Sequence, residues 1–294
     1  MTTRARTLDP KLLVATLVVA AGCSAPVERT IVYDARFGDD TSLDLYSPDL
    51  APGDARPAIM IVHGGAWKHG DRSDFRAVAR VFARAGYVTA SVDYRLGAEG
   101  RFPAAPRDVG CALAFLQNHA VELGIDPARV ALLGYSAGAH LSALVALDDG
   151  DPELVPDCAE GSPSKPAAVV DGAGPAALDA LDSPLVSDFL GGTIEDVPAT
   201  YVLASPVSHV TSDDPPFLLF HGDRDQVVPV SQSERLRDAL RDAGVDANLM
   251  RFRGSGHVLN AVGDSGEVWT SILLDTPEVW IALSDFLART IGTP

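Results

Sequence analysis

The chain is short of basic residues. Its 294 residues include 23 Lys and Arg against 40 Asp and Glu, which gives a net charge of −17 at pH 7. Because a nucleic-acid-binding protein needs clustered cations to neutralise phosphates, this shortage argues against a nucleic-acid partner. The sequence also has no internal repeat and no low-complexity tract, so we expect no repeat architecture.

Sequence motifs for a bound metal or dinucleotide are absent. The chain has no H-E-x-x-H motif and no Cys/His cluster with the spacing of metal ligands. Two G-x-G stretches, at residues 172–174 and 254–256, lack the surroundings of a dinucleotide fingerprint. We therefore expect no metal and no cofactor.

The sequence has no apolar run long enough to cross a bilayer as a helix, which takes about 20 residues. The run at residues 12–22 follows a positively charged start and ends in small residues, so we expect a secretory signal peptide. Small residues before Cys23 resemble a bacterial lipobox, which implies that residues 1–23 are a leader with its lipobox and that Cys23 is lipidated. We expect an exported, membrane-anchored lipoprotein, with a secreted or periplasmic protein as the alternative.

Cysteine is scarce, with three in the whole chain. If Cys23 carries lipid, Cys111 and Cys158 remain as an even pair in an oxidising compartment. Exported proteins usually pair such cysteines, so we expect a disulfide between them. Two free, buried thiols are the alternative.

The chain has enough apolar residues to form a large core. Hydrophobic residues make up 47% and charged residues 21%, which excludes wholesale disorder. Apolar runs typical of strands alternate with helical periods; the strands are predicted at 30–35, 42–46, 58–62, 87–92, 130–133, 168–170, 217–220 and 247–252, and the helices at 75–85, 108–123, 140–147, 231–243 and 277–291. This alternation predicts a mostly parallel sheet. Residues 148–214 are less regular, and we interpret much of them as a lid or a substrate-side insertion.

Residues 134–138 read Gly-Tyr-Ser-Ala-Gly, a G-x-S-x-G motif between a predicted strand and a predicted helix. A sharp turn at this point exposes the serine hydroxyl at the carboxyl end of the sheet. The start of the helix below it favours developing negative charge. The motif therefore predicts Ser136 as a nucleophile, with an ordinary serine in a glycine-rich turn as the alternative.

Residues 63–67 read His-Gly-Gly-Ala-Trp and follow the predicted strand 58–62. Such a loop turns backbone N–H groups toward a substrate, so Gly65, Ala66 and Ala137 are the predicted oxyanion donors. A tight turn with a packed tryptophan is the alternative. Trp67 and Tyr94 are candidates for the wall of a substrate pocket, and buried packing is equally open for both.

A serine nucleophile needs a base that an acid orients. Among seven histidines, His257 lies in a glycine-rich loop directly after the last predicted strand, so it is the predicted base. Asp223 and Asp225 follow the strand at 217–220, and both qualify as the acid by their chemistry. The chain order serine, aspartate, histidine differs from the orders in chymotrypsin and subtilisin.

Together these motifs resemble the α/β-hydrolases of the esterase/lipase group with an H-G-G-x-W oxyanion loop, over residues 30–292. The chain is similar to bacterial acetylxylan- and feruloyl-esterase-like hydrolases, and more loosely to hormone-sensitive-lipase-like esterases. The resemblance implies one α/β domain over residues 24–294, a mostly parallel twisted sheet flanked by helices on both faces. The family pattern also implies that Asp225, rather than Asp223, is the acid of the triad.

The resemblance implies hydrolysis of carboxylic esters, with short acyl or carbohydrate-linked substrates, through an acyl-enzyme intermediate. The expected partners are a small-molecule or carbohydrate ester and, through the lipid anchor only, a membrane. An amidase, formamidase or peptidase with the same triad is the alternative. A surface lipoprotein that uses the fold only for binding is a further alternative. The sequence leaves the acyl group, the alcohol and the oligomeric state open.

Overall fold

The computed structural model of the protein describes residues 25–257 and 276–294. The expected signal peptide and Cys23, with its predicted lipidation, lie outside these residues and stay predictions. Within the described residues, every helix is too short or too polar to cross a membrane.

In the part of the chain that the structure describes, eight strands form a single sheet. They are Val27–Val32 (β1), Ser42–Ser47 (β2), Arg56–Val62 (β3), Val88–Val92 (β4), Ile125–Tyr135 (β5), Ala168–Gly172 (β6), Phe217–Gly222 (β7) and Ala247–Phe252 (β8). Their order across the sheet is β1-β2-β4-β3-β5-β6-β7-β8. The pairs β1–β2 and β2–β4 are antiparallel, and all pairs from β4 to β8 are parallel. The predicted mostly parallel sheet is confirmed.

Helices cover both faces of this sheet. They are Arg76–Arg84 (α1), Ala104–Asn118 (α2), Ala120–Leu123 (α3), Ala137–Leu147 (α4), Pro184–Leu190 (α5), Pro198–Leu203 (α6), Ser231–Asp242 (α7) and Pro277–Thr290 (α8). The apolar sides of α2, α4 and α7 pack in one core, and those of α1 and α8 in the other. Strand β3 shows why its apolar run is continuous, since Met60 faces the first core while Ile59 and Ile61 face the second.

Several boundaries differ from the sequence prediction, and two of these differences have a clear physical reason. Strand β1 begins at Val27 because its backbone pairs with β2, where Val27 lies opposite Ser47. The helix expected at 108–123 begins instead at Ala104 and is divided near His119 into α2 and α3. The early start is compatible with Pro106, because the N–H groups of a first helical turn have no intrahelical partner to lose.

The segment expected as an insertion, residues 148–214, is divided by β6. Its first part is tied to α2 by a disulfide between Cys111 and Cys158, whose Cα atoms are 6.2 Å apart. Its second part carries α5 and α6 and packs against the first core through residues such as Phe189 and Tyr201.

Candidate active site

Four loops meet where the parallel strands β3, β5, β7 and β8 end. Ser136 follows β5, and residues 63–69, which we call the HGG loop, follow β3. Asp225 follows β7 and His257 follows β8. Because the carboxyl ends of parallel strands share one edge of the sheet, residues far apart in the chain come together here.

Ser136 occupies a sharp turn between β5 and α4. Its backbone has φ 51° and ψ −119°, a conformation that residues with a side chain rarely adopt. The Ser136 N–H donates to the carbonyl oxygen of Gly172 at 2.7 Å, which fixes the turn against β6. Ala137 is the first residue of α4, so its N–H has no carbonyl one helical turn earlier to bond. The turn therefore presents a hydroxyl and an amide at the same point.

His257 joins Ser136 to Asp225. Its Nε2 lies 2.9 Å from Ser136 Oγ, and its Nδ1 lies 2.6 Å from Asp225 Oδ2. An ionised carboxylate only accepts, so Nδ1–H donates to Asp225 and Nε2 is left to accept the Ser136 hydroxyl proton. The Tyr135 hydroxyl donates to the His257 carbonyl oxygen at 2.6 Å and holds the loop in place. The structure thus brings together the three residues predicted as nucleophile, base and acid.

The surroundings of Asp225 keep it ionised. Its Oδ1 accepts from the backbone N–H groups of Val227 and Val228, both at 2.9 Å. Burial opposes ionisation of Asp225, but hydrogen bonds from His221 and His257 outweigh it and hold the pKa of this carboxyl well below its usual value. A fixed negative charge therefore faces the His257 imidazole.

The other candidate acid, Asp223, serves a different contact. Its Oδ1 accepts from the N–H of Gly254 at 2.6 Å, and its own N–H donates to Phe252 O at 3.1 Å. These bonds tie the end of β7 to the loop that carries His257. The geometry agrees with the family pattern, which makes Asp225 the partner of the imidazole.

His221 is not among the predicted catalytic residues, because a histidine at the end of such a strand is more often a structural hydrogen-bonding residue, but its contacts reach this site. It is fully buried at the end of β7, and its Nε2 lies 3.2 Å from Asp225 Oδ2 and 2.8 Å from Val228 O. The signal was available in the sequence, because His221 stands four residues before Asp225 in the same motif. The contact itself depends on how the turn after β7 folds back.

The HGG loop lies directly beside Ser136. A Cβ atom built on Gly64 would be 3.2 Å from the Ser136 Cβ. Gly65 has φ +116°, and a Cβ there would be 1.9 Å from the carbonyl oxygen of His69, so only glycine fits this turn. Ala66 and Trp67 also have positive φ, 53° and 59°. The loop thus lies beside Ser136 with an unusual backbone, and its role as an oxyanion loop stays a prediction.

Trp67 and Tyr94 are both packed. Tyr94 is 1% exposed, stacks on His63 and donates its hydroxyl to His63 O at 2.9 Å. Trp67 is 4% exposed and stacks on Phe189 with ring centroids 4.5 Å apart. These contacts favour the packing alternative for Tyr94, whereas Trp67 also borders a cavity beside the HGG loop.

A buried histidine, His140, accepts a hydrogen bond from the Trp67 indole. The Trp67 Nε1–H lies 3.2 Å from His140 Nδ1, and His140 Nε2 lies 2.8 Å from the carbonyl oxygen of Ala204. Burial lowers the pKa of His140 to about 4, so the ring is neutral at pH 7. Its Nε2–H therefore donates to Ala204 while Nδ1 accepts from Trp67, which links the HGG loop through α4 to the segment after α6.

Within the described ranges, one group of three carboxylates has its oxygens close enough to share an ion: Asp149, Asp213 and Asp214. The ammonium of Lys165 already lies 2.7 Å from Asp149 Oδ1 and 2.7 Å from Asp214 Oδ1. The cluster is therefore a salt-bridge network and supplies no argument for a metal. The expected absence of a metal and a cofactor stays a prediction.

Comparisons with known proteins show that the chain is similar to several esterases. LipC, an esterase of Mycobacterium tuberculosis, is 34% identical over 253 residues, which are 80% of this chain and 62% of LipC. The chain spans 51% and 60% of the lengths of LipQ and LipM from the same organism. It therefore covers less than two thirds of each of these relatives.

Two solved structures share the fold over most of their length. A truncated carbohydrate esterase from gut microbiota has a TM-score of 0.73 and 26% identity, covering 93% of this chain and 98% of that one. Est2, an esterase of Thermogutta terrifontis, has a TM-score of 0.74 and 26% identity, covering 90% of this chain and 93% of Est2. With the strand order above, these similarities establish the α/β-hydrolase fold. A family model described as BD-FAE matches residues 43–240, more than half of the chain, and the chain therefore belongs to the BD-FAE family.

Proposed function

We propose that this protein hydrolyses carboxylic esters, with Ser136 as nucleophile, His257 as general base and Asp225 as the orienting acid. The observation that carries the proposal is the pair of short contacts of His257, 2.9 Å to Ser136 Oγ and 2.6 Å to Asp225 Oδ2. Both lie within hydrogen-bonding reach, which is the geometry that activates a serine hydroxyl. The esterase names of the relatives support the same chemistry.

In the first half of the reaction, Ser136 Oγ attacks the carbonyl carbon of the ester while its proton moves to His257 Nε2. The imidazolium that forms is stabilised by the fixed charge of Asp225. His257 then gives this proton to the oxygen of the departing alcohol. The carbon–oxygen bond to the alcohol breaks, and the acyl group remains on Ser136.

The negative charge that develops on the carbonyl oxygen needs donors already in place. The N–H groups of Gly65, Ala66 and Ala137 fill this role in the proposal, because the HGG loop and the start of α4 both adjoin Ser136. In the second half, His257 takes a proton from water and the hydroxide attacks the acyl carbon. The carboxylic acid leaves and Ser136 regains its proton.

The relatives narrow the range of substrates. Est2 structures are described as bound to butyrate and to propionate, and the gut relative is described as a carbohydrate esterase. We therefore take short acyl groups, on simple or carbohydrate alcohols, as the proposed substrates. Among the residues that the structure describes, no contact favours an amide over an ester.

The test combines active-site labelling with turnover. A fluorophosphonate probe should label the protein at Ser136, as Est2 is described as phosphorylated by paraoxon. On p-nitrophenyl butyrate, Ser136→Ala, His257→Ala and Asp225→Asn should each lower kcat by on the order of 10⁴, and the losses should not add in combination. Asp223→Asn is the matched control and should be far milder.

Three results would contradict the proposal. A protein that folds but neither reacts with the probe nor turns over any ester would have the binding function instead. Faster cleavage of anilides or formamides than of the matching esters would make it an amidase. A severe loss in Asp223→Asn together with a mild one in Asp225→Asn would move the acid to Asp223.

A further inference from the structure

A cavity of about 230 Å³ opens beside the HGG loop. Ala66, Trp67 and Lys68 of this loop form one wall, and Asp188 and Phe189 of α5 form another. Arg101, from the loop before α2, completes the lining of charged groups. Pockets that hold a whole drug-sized ligand have volumes of about 300–1,000 Å³, so a cavity of this size can hold one arm of a substrate.

The charges in this cavity do not balance. The Lys68 ammonium pairs with the Asp188 carboxylate. The Arg101 guanidinium lies 3.4 Å from the same carboxylate and donates its Nε–H to the Asp188 backbone oxygen at 3.1 Å. The hydrogen bond and charge of Lys68 keep the pKa of Asp188 below its usual value, so this carboxyl is ionised at neutral pH. One anion thus faces two cations, and the lining carries a net positive charge in a chain of net charge −17.

Lys68 and Arg101 both have N–H donors that the contacts above leave unused. A guanidinium has five N–H bonds and an ammonium three, whereas the contacts above use two from Arg101 and one from Lys68. Both side chains are partly open to solvent, with 33% of Lys68 and 52% of Arg101 exposed. A carboxylate accepts only, so it complements such a set of donors better than a neutral hydroxyl or amide, which brings N–H or O–H groups of its own.

The cavity shares a residue with the proposed oxyanion site. Ala66 lines the cavity, and Gly64, two residues earlier in the same loop, approaches Ser136 as described above. An ester whose carbonyl oxygen lies at the Ala66 amide can extend one arm along Trp67 toward Lys68 and Arg101. Because the chain as a whole has a net charge of −17, a locally positive lining can select a substrate arm of negative charge.

We propose that this cavity is a substrate subsite for esters that carry a carboxylate, with Lys68 and Arg101 as the residues that bind it. The proposal rests on the proposed ester hydrolysis and names a substrate class for it. It makes Lys68 and Arg101 specificity-determining residues, which leave the chemistry at Ser136 unchanged.

The experiment compares charged substrates with neutral ones of the same shape. For the acyl side, the pair is p-nitrophenyl 5-carboxypentanoate and its 5-carbamoyl analogue, and for the alcohol side it is 4-carboxybutyl acetate and 4-carbamoylbutyl acetate. We expect kcat/KM to favour the carboxylate in at least one pair, by on the order of fivefold, the size typical of a partly exposed ion pair. The pair that shows the preference identifies the arm that enters the cavity.

Variants test whether this preference belongs to the two cations. Lys68→Met and Arg101→Met should each reduce kcat/KM for the carboxylate more than for the matching carboxamide. Arg84→Met, which removes an exposed positive charge at the end of α1, is the matched control and should leave the preference unchanged. Raising NaCl from 50 to 500 mM should weaken the wild-type preference through screening, a result that needs no variant to fold.

Each remaining outcome counts against the subsite. Equal kcat/KM within both pairs, or a preference that persists in both variants, would overturn it while ester hydrolysis stands. An equal loss on both members of a pair in Lys68→Met and Arg101→Met would mean that the two cations only hold α5 to the HGG loop. If p-nitrophenyl butyrate is not hydrolysed either, the proposed function itself fails.

Discussion

The Nε2 atom of His221 lies 3.2 Å from Oδ2 of Asp225, the same oxygen that His257 reaches at 2.6 Å. Val228 O, which can only accept, is 2.8 Å from His221 Nε2, so this nitrogen carries the proton. His221 Nδ1 then accepts from the Ser233 hydroxyl at 2.7 Å. Val228 O thereby fixes the tautomer of a buried ring that helps to position the carboxylate, and the Ser233 hydroxyl is oriented to match it.

This relationship predicts the effect of replacing His221. In His221→Leu, Asp225 loses one of the donors that hold its Oδ2, so we expect kcat to fall on the order of 10- to 100-fold with KM little changed. His221→Gln can place a side-chain N–H near the same oxygen and should recover part of the loss. Steady-state kinetics on p-nitrophenyl butyrate, with melting temperatures as the control for folding, would measure this. A glutamine variant no better than leucine at equal stability would refute the positioning role.

The buried imidazole of His140 predicts a loss of stability in acid. Its pKa is about 4 in the folded protein, against about 6.5 in an unfolded chain. The unfolded state therefore binds a proton first as the pH falls, and the stability that His140 contributes above pH 6.5 is lost between pH 6.5 and 4. The linkage amounts to on the order of 3 kcal/mol.

Urea unfolding at several pH values would test this, with His140→Gln as the comparison. Glutamine can still donate to Ala204 O but does not titrate. The difference in free energy of unfolding between the two proteins should shrink steadily from pH 6.5 to 4. A constant difference across this window would show that His140 is not the group responsible.

The disulfide between Cys111 and Cys158 predicts a second effect on stability. It joins residues 47 apart in the chain, and the loop that it closes contains Ser136. Chain-entropy models give such a crosslink roughly 3–4 kcal/mol. The Cys111→Ser, Cys158→Ser double variant should melt at a lower temperature, whereas the oxidised wild type, unfolded without reductant, should show no reactive thiol at either position by peptide mapping. Two alkylated thiols there would disprove the crosslink.

The sequence predicted the central residues of the site because the motifs that contain them are visible in short stretches of the chain. Strand β3 is buried on both faces, which makes its apolar run continuous, and the glycines around Ser136 belong to a turn that only small residues fit. The choice between Asp223 and Asp225 as the acid could not be made from a local motif. It needed the family pattern, because two carboxylates in one turn have the same chemistry until the chain around them folds.

Other features depend on contacts that no local pattern encodes. The orientation of Trp67 follows from its stack on Phe189 in α5 and its bond to His140 in α4, three residues far apart in the chain. The sequence pattern did not indicate that α2 begins at Ala104, because Pro106 follows two residues later and a proline usually breaks a helix. Residues 148–214 lack periodicity because a disulfide and packing onto other elements hold them, rather than their own amphipathic pattern.

The backbone of Ser136 has a consequence for the protein as a whole. Holding a non-glycine residue at φ 51° and ψ −119° costs on the order of 1–3 kcal/mol, and the surrounding sheet and helix must sustain this cost throughout the life of the folded chain. The free energy of unfolding of Ser136→Gly should therefore exceed that of Ser136→Ala by on the order of 1 kcal/mol. This figure already subtracts the greater freedom of glycine in the unfolded state. Both variants lack the hydroxyl, so chemical denaturation compares them without interference from activity. The turn that presents Ser136 as the proposed nucleophile therefore lowers the stability of the fold, and a search for more stable variants of this protein will select replacements of Ser136.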